Sequence, residues 1–196
     1  AEDDKIQLVL DLGHERSLLA FCSRGEILDV AAVEQGGAEL TQALMAAFSW
    51  SEEEAEGQKH SATVNPLELS GAGEALDEAG TSTPTAIAKV ISRALEPLVA
   101  QIRTRLFSFE GRHGLEVEEV LLTGGGAHLG GIAGVLSRGL SVPSRLSSVS
   151  DEARAVGDGG RFAVAHGLAL RAAGMKGSGA FDFRKGGLAH AGNLAL

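Results

Sequence analysis

The 196-residue sequence predicts an α/β fold, and three observations carry the prediction. Three apolar runs of strand length, at 6–12, 17–22 and 26–34, are separated only by the turn segments "GHER" and "SRG", as in a β-meander. A long stretch at 84–109 places apolar residues three or four apart, the period of a helix with one buried face. The remainder alternates strand-like and helix-like runs, the pattern of parallel strands joined by helical crossovers.

The elements follow in order. In "GGAELTQALMAAF", Leu40, Leu44 and Phe48 lie four apart and define one helix face. Ser49 or Ser51 then caps a second helix, whose first turn, Glu52 to Glu54, suits the positive end of a helix dipole. Residues 60–83 are small, polar and acidic without a sustained period, and predict a weakly ordered loop. Thr83 and Pro84 form an N-cap and first helical position. Ile87, Ile91, Leu95, Leu98, Ile102, Leu106 and Phe109 continue that helix, with Pro97 expected to kink it or to remove one hydrogen bond. A strand at 115–123, a helix over "HLGGIAGVLSRGL", a short strand in "PSRLSSV" and a helix over "RFAVAHGLALRAA" complete the pattern. The boundaries predict one domain at 1–173, with an insertion roughly at 36–83, and a glycine-rich tail at 174–196.

Composition narrows the function. A formal charge of −9 argues against nucleic-acid binding, which needs a basic stripe to neutralise phosphates. Cys22 is the one cysteine, so no intrachain disulfide or CxxC site exists, and its apolar context reads as core. The six histidines, at 14, 60, 113, 128, 166 and 190, show no HxxxH spacing, and no metal site is expected. No serine nucleophile motif stands out. No run is long enough to cross a membrane and no signal peptide opens the chain, which reads as cytosolic. The chain begins without Met and reads as a fragment.

Several motifs in fixed order resemble one half of the actin-like ATPase superfamily, whose halves are ribonuclease-H-like five-stranded mixed sheets with flanking helices and a small inserted subdomain. "LVLDLGHERSLLAF" resembles a phosphate hairpin of the form D-x-G-x-x-x-T, and "VLLTGGGAHLGG" resembles the strand and glycine turn of an adenosine loop. "EQGGAELTQAL", "EAEGQK", "LLTGGGAHLGGIAGVLSRGLSVP" and "AVAHGLALR" are similar to the pilus and secretion branch, which includes PilM-type, FtsA-type and GspL-type proteins. The tail segment "FDFRKGGLAH" resembles the stretch before the membrane anchor of GspL-type type II secretion proteins, or the start of a PilN-type protein. The resemblance covers 6–59 and 84–190 and implies the second half only of such a domain.

It also implies site residues. Asp11, Gly13 and Ser17 match the phosphate hairpin, Glu56 and Lys59 match positions that reach ribose and base, and Gly124, Gly125 and Gly126 match the adenosine loop. Glycines after a strand let backbone N–H groups approach a ligand, because no Cβ intervenes. Each motif has a plainer alternative: a ligand-free strand-to-helix turn, an exposed hairpin, and a surface pair three apart on a helix. The hairpin also departs from the superfamily pattern. His14, Glu15 and Arg16 replace small residues, and Glu15 repels a β- or γ-phosphate. With half a cleft as well, no catalytic residue and no turnover are expected, since phosphoryl transfer needs metal, water and phosphate held together. The resemblance implies ATP and Mg only for a full-length protein.

The implied role is a cytoplasmic scaffold on the inner face of the bacterial inner membrane. It docks a secretion ATPase and inner-membrane platform proteins, with membrane contact only through a segment outside this chain and with self-association as an option. A PilM-type pilus protein is the near alternative; half of an active ATPase or sugar kinase is the alternative of another class. In the tail, Phe181, Phe183 and Arg184 are the expected partner-binding residues, two aromatic anchors at strand-like alternation. Joint Phe181→Ala and Phe183→Ala substitution therefore leaves the unfolding temperature nearly unchanged. A loss of several kcal/mol, about that of truncating a buried Phe, would place the tail in the core.

Overall fold

The computed structural model describes residues 5–65, 83–147, 160 and 162–173. Five strands form one mixed sheet in the order β3-β2-β1-β4-β5: β1 (Gln7–Leu12), β2 (Ser17–Ser23), β3 (Glu26–Val33), β4 (Glu119–Thr123) and β5 (Ser144–Leu146). The first three form the expected antiparallel meander. β4 then pairs parallel to β1, and β5 parallel to β4.

Alternation on β1 sets the core face. Leu8, Leu10 and Leu12 are buried. Their register partners Phe21 and Leu19 on β2 and Val120 and Leu122 on β4 are buried with them. The long helix α3 (Pro84–His113) supplies Ile91, Leu95, Ile102, Leu106 and Phe109 to the same cluster. The short helix α4 (Ile132–Leu140) adds Val135 and Leu136. Phe21 and Phe109 stack with ring centroids 4.1 Å apart and planes 6° from parallel, pinning the end of α3 to the sheet. Two further helices, α1 (Gly37–Phe48) and α2 (Glu52–Ser61), lie between the meander and α3 in sequence, and α1 buries Leu40 and Leu44.

The helix ends follow their sequence signals. The Ser51 and Glu54 side chains form a capping box on α2. The Thr83 hydroxyl accepts from the Ala86 N–H at the start of α3, and Gly114 ends that helix at φ 65. α3 passes through Pro97 without ending, and the proline has no N–H to give the carbonyl four residues back.

Three boundaries differ from the sequence reading. The strand expected at 115–123 is regular only from Glu119, because the Val117 N–H donates to the Glu110 carboxylate instead of to a ladder partner. The helix expected from His128 begins at Ile132, preceded by a 3₁₀ turn at Gly125–His128 and by Gly131 at φ 80. The start of the segment expected to be a loop, 60–65, is instead ordered on the fold. α2 runs through Ser61, Thr63 bridges Gly130, and Val64 is buried with its N–H donating to the Gly130 carbonyl. Residues 66–82 and the tail from 174 lie outside the described residues.

The chain divides into two compact units, 1–163 and 164–196. All the elements above lie in the first. A helix at Ala163–Ala172, α5, matches the run "AVAHGLALR". Among the described residues no helix is long and apolar enough to cross a membrane.

Phe109 is fully buried and stacked, so Phe109→Ala is expected to destabilise the chain by about 3–5 kcal/mol in urea unfolding. A loss below about 1 kcal/mol would mean that α3 is not anchored by this ring.

Candidate functional site

The parallel register of β1 and β4 aligns Asp11 with Thr123. The hairpin turn after β1 and the glycine turn after β4 therefore leave the sheet from the same end. The Thr123 hydroxyl donates to Asp11 Oδ1 at 3.2 Å and ties the two strand ends together.

The hairpin turn is closed by the Gly13 N–H donating to the Arg16 carbonyl at 3.1 Å. Its other carbonyls face α1. Gly13 and His14 accept from the N–H groups of Gly37 and Ala38 at 2.9 and 2.8 Å. The Gly36 N–H donates to Glu39 Oε2 at 2.8 Å. These first helical N–H groups, the ordinary place for an anion, are thus already bonded to oxygens. Gly36 is required here, since a Cβ would lie 2.5 Å from both turn carbonyls. Ser17 is fully buried, and its hydroxyl donates to the Gln35 carbonyl at 2.8 Å.

The three glycines of the second turn differ in kind. Gly124 sits at φ 85, and a Cβ there would strike the Asp11 carboxylate and the Leu12 carbonyl. At Gly126 a Cβ would press on Leu12 at 3.0 Å. Gly125 has no atom within 4 Å of a Cβ, so protein packing gives no reason for glycine there.

From α2, Lys59 reaches inward with its side chain 11% exposed. Its ammonium donates to the Gly37 carbonyl at 3.2 Å, to Thr41 Oγ1 at 2.8 Å and to Glu56 Oε1 at 2.5 Å. All three ammonium protons are thereby matched to acceptors. The Thr41 proton has two acceptors in reach, the Gly37 carbonyl and Glu56 Oε1. Burial alone would raise the Glu56 carboxyl, but the hydrogen bonds from Lys59 and Thr41 and the Lys59 charge outweigh it and hold Glu56 below the usual glutamate range.

These parts enclose a cleft of about 320 Å³, lined by Gly13, His14, Gly37, Leu40, Glu56, Lys59, His60, Gly125, Gly126, His128 and Leu129. Of the residues singled out in the sequence, Gly13, Glu56, Lys59, Gly125 and Gly126 line it. Asp11, Ser17 and Gly124 stand behind the lining and shape the turns. Phe181, Phe183 and Arg184 lie outside the described residues. Sequence reasoning did not find the convergence of His14, His60 and His128, which come from three separate elements and share no spacing. Nor did it single out Thr41, whose link to Glu56 and Lys59 exists only once α1 packs on α2. Among the described residues no group of three or more His, Cys, Asp or Glu can hold a metal ion.

No protein-family model matches the chain, and no curated protein does. Solved structures do, and they share an actin-like ATPase fold. An archaeal actin homologue, Ta0583, matches at TM-score 0.58 and 15% identity over 87% of this chain and 49% of its own. MreB5 of Spiroplasma citri, in complex with AMPPNP, matches at TM-score 0.54 and 16% identity over 88% of this chain and 56% of its own. Within that fold, a chain of the PilM–PilN type IV pilus biogenesis complex matches at TM-score 0.67 and 27% identity, over 87% of this chain and 46% of its own. The chain thus spans about half the length of the solved structures it resembles.

Two substitutions test the turn. Gly124→Ala is expected to lose more than about 1 kcal/mol, because both its φ and the Asp11 side chain oppose a methyl group. Gly125→Ala should stay within about 0.5 kcal/mol. Equal losses in thermal unfolding would show that this turn geometry is wrong. Acidification tests the α1–α2 tie. Glu56 is held low when folded, so its contribution is present above its unfolded value, about 4.3, and is lost as pH falls through the folded one. Glu56→Gln should flatten that acid limb of stability; an unchanged limb would count against the pairing.

Proposed function

We propose that this chain is the second half of an actin-like scaffold in the inner-membrane platform of a bacterial secretion or pilus system, of GspL type. The observation that carries the reading is the likeness to a chain of the PilM–PilN pilus biogenesis complex, which extends over 87% of this chain at 27% identity. That likeness equally favours a PilM-type pilus protein. The GspL assignment rests on the tail segment "FDFRKGGLAH". On this reading the partners are a secretion ATPase and inner-membrane platform proteins, and the location is the cytoplasmic side of that membrane.

The cleft supports a scaffold over an enzyme. Among the described residues Lys59 is the one Lys or Arg in its lining, and its protons are already matched to three acceptors. The N–H groups at the start of α1 are bonded to the hairpin turn. Among the described lining residues a triphosphate would meet no Lys or Arg that is not already bonded, and Glu15 stands on the hairpin turn beside it. The nucleoside half of such a ligand has better walls: Leu40 and Leu129, the open Gly125 and the Glu56 carboxylate. ATP and Mg therefore belong to the longer protein, where a first half would supply the remaining phosphate contacts.

Two measurements test the proposal. Mixed with its cognate secretion ATPase, the 196-residue chain should co-elute as a complex. At about pH 8, calorimetry with ATP and Mg should give a dissociation constant weaker than about 100 μM, with no phosphate release. ATP turnover by the chain, or low-micromolar affinity at that pH, would refute the scaffold reading.

A further inference from the structure

We propose that the outward face of α3 is a docking surface for an acidic amphipathic helix of another protein, with Phe107 as its apolar anchor. Positions 89, 93, 96, 100, 103, 107 and 111 step by three or four along α3 and so share one face. It lies opposite the face that gives Ile91, Leu95, Ile102 and Leu106 to the core. None of its residues lines the cleft.

The described fold gives no use for three features of this face. Phe107 is 60% exposed and stacks on no described ring, whereas Phe109 is buried and stacked. Lys89, Arg93 and Arg103 have no ion-pair partner among the described residues, unlike Lys59, Arg112 and Arg145. Lys89 and Arg93 stand four apart, a spacing at which like charges repel on a helix. Gly111, one turn beyond Phe107, has no atom within 4 Å of where a Cβ would stand. Glycine inside a helix weakens it relative to alanine, so packing within the chain does not account for this one. Ala100 and Gly111 leave low ground on both sides of the Phe107 ring, where a second helix can come close.

The charge names the partner. The chain stands at −9, yet α3 holds five of its 17 Lys and Arg against two of its 26 Asp and Glu. A basic stripe on so acidic a molecule selects a surface of the opposite sign. Arginine and exposed aromatic rings are also the side chains that interfaces favour. From Lys89 to Gly111 the face runs about 33 Å, which a partner helix of about 20 residues would cover. Two other occupants fit less well. A membrane surface would meet one large apolar side chain and the Glu96 carboxylate in mid-stripe, where an interfacial helix needs a continuous apolar face. A second copy would have to offer an acidic helix of matching length. The acidic helix among the described residues, α2, has 10 residues and spans about 15 Å.

The probe is a synthetic helical peptide of about 21 residues with glutamates flanking a leucine seam. A scrambled peptide of the same composition is the control. Each is titrated into the ¹⁵N-labelled 196-residue chain. Amide shifts centred on Ala100, Arg103, Phe107 and Gly111 are expected, with a dissociation constant of about 100 μM or tighter at low salt. Phe107→Ser and the pair Arg93→Glu/Arg103→Glu should each weaken binding at least about tenfold, and the scrambled peptide should bind the wild type weaker by a similar factor. No binding at about 1 mM peptide, shifts away from α3, or affinities within about threefold across the variants or between the peptides would overturn the proposal. The substituted side chains are exposed, so the variants should keep the wild-type unfolding temperature. The two peptides on the unaltered chain decide the matter even if a variant does not fold. Two further arms address the rival occupants. Co-sedimentation with phosphatidylglycerol vesicles that is lost in Arg93→Glu/Arg103→Glu would assign the face to lipid and overturn the proposal. Self-association in sedimentation velocity that is lost in Phe107→Ser would assign it to a second copy and overturn it equally. ATP turnover would sink the scaffold reading and leave this result as it stands.

Discussion

The site depends on one pairing, the parallel ladder between β1 and β4. Parallel strands that are neighbours in a sheet end at the same edge, and their following loops must share that edge. Here the loops are the hairpin turn and the glycine turn, and the register Asp11↔Thr123 sets them side by side. A one-residue shift of β1 against its neighbours would turn Leu8, Leu10 and Leu12 out of the core and Asp11 into it. The buried leucines of β1 thus fix the position of a carboxylate that stands behind the cleft. Gly124 answers the same constraint, because the Asp11 side chain occupies the space where its Cβ would stand.

The electrostatics follow from that placement. The Glu56–Lys59–Thr41 network fastens α2 to the N-terminal turn of α1. In doing so it removes the Lys59 ammonium from other use. Ordinary phosphate sites leave helix N–H groups and a lysine open to the ligand. In this chain both are bonded to the protein's own oxygens, so the interactions that stabilise the fold are the ones a phosphate would need. The rest of the described lining is apolar wall, glycine backbone and histidine.

Much of this architecture was legible in the sequence. The meander, the capped long helix and the order of elements follow from period, turn residues and caps, which act over a few residues. The glycine turn, the hairpin and the Glu56–Lys59 pair were legible as motifs, and the structure brings parts of all three to one cleft. What the sequence hid depends on distant partners. The start of α4 is delayed by Gly130 packing on Thr63 and by the left-handed Gly131. β4 starts late because the Glu110 carboxylate on α3 takes the Val117 N–H. The histidines meet only through tertiary packing, and no spacing along the chain announces it. Gly124 and Gly125 look identical in sequence; only the fold tells the required glycine from the free one.

The Lys59 ammonium is fully engaged within the protein. Nitrogen-15 spectra of lysine side chains test it directly, because a fully hydrogen-bonded ammonium exchanges its protons slowly enough to be seen near neutral pH. A slowly exchanging Lys59 Nζ resonance is predicted, lost in Glu56→Gln and unchanged by added ATP. A Lys59 ammonium that exchanges as fast as an exposed lysine, or that becomes protected only when ATP is added, would show that it is open to a ligand.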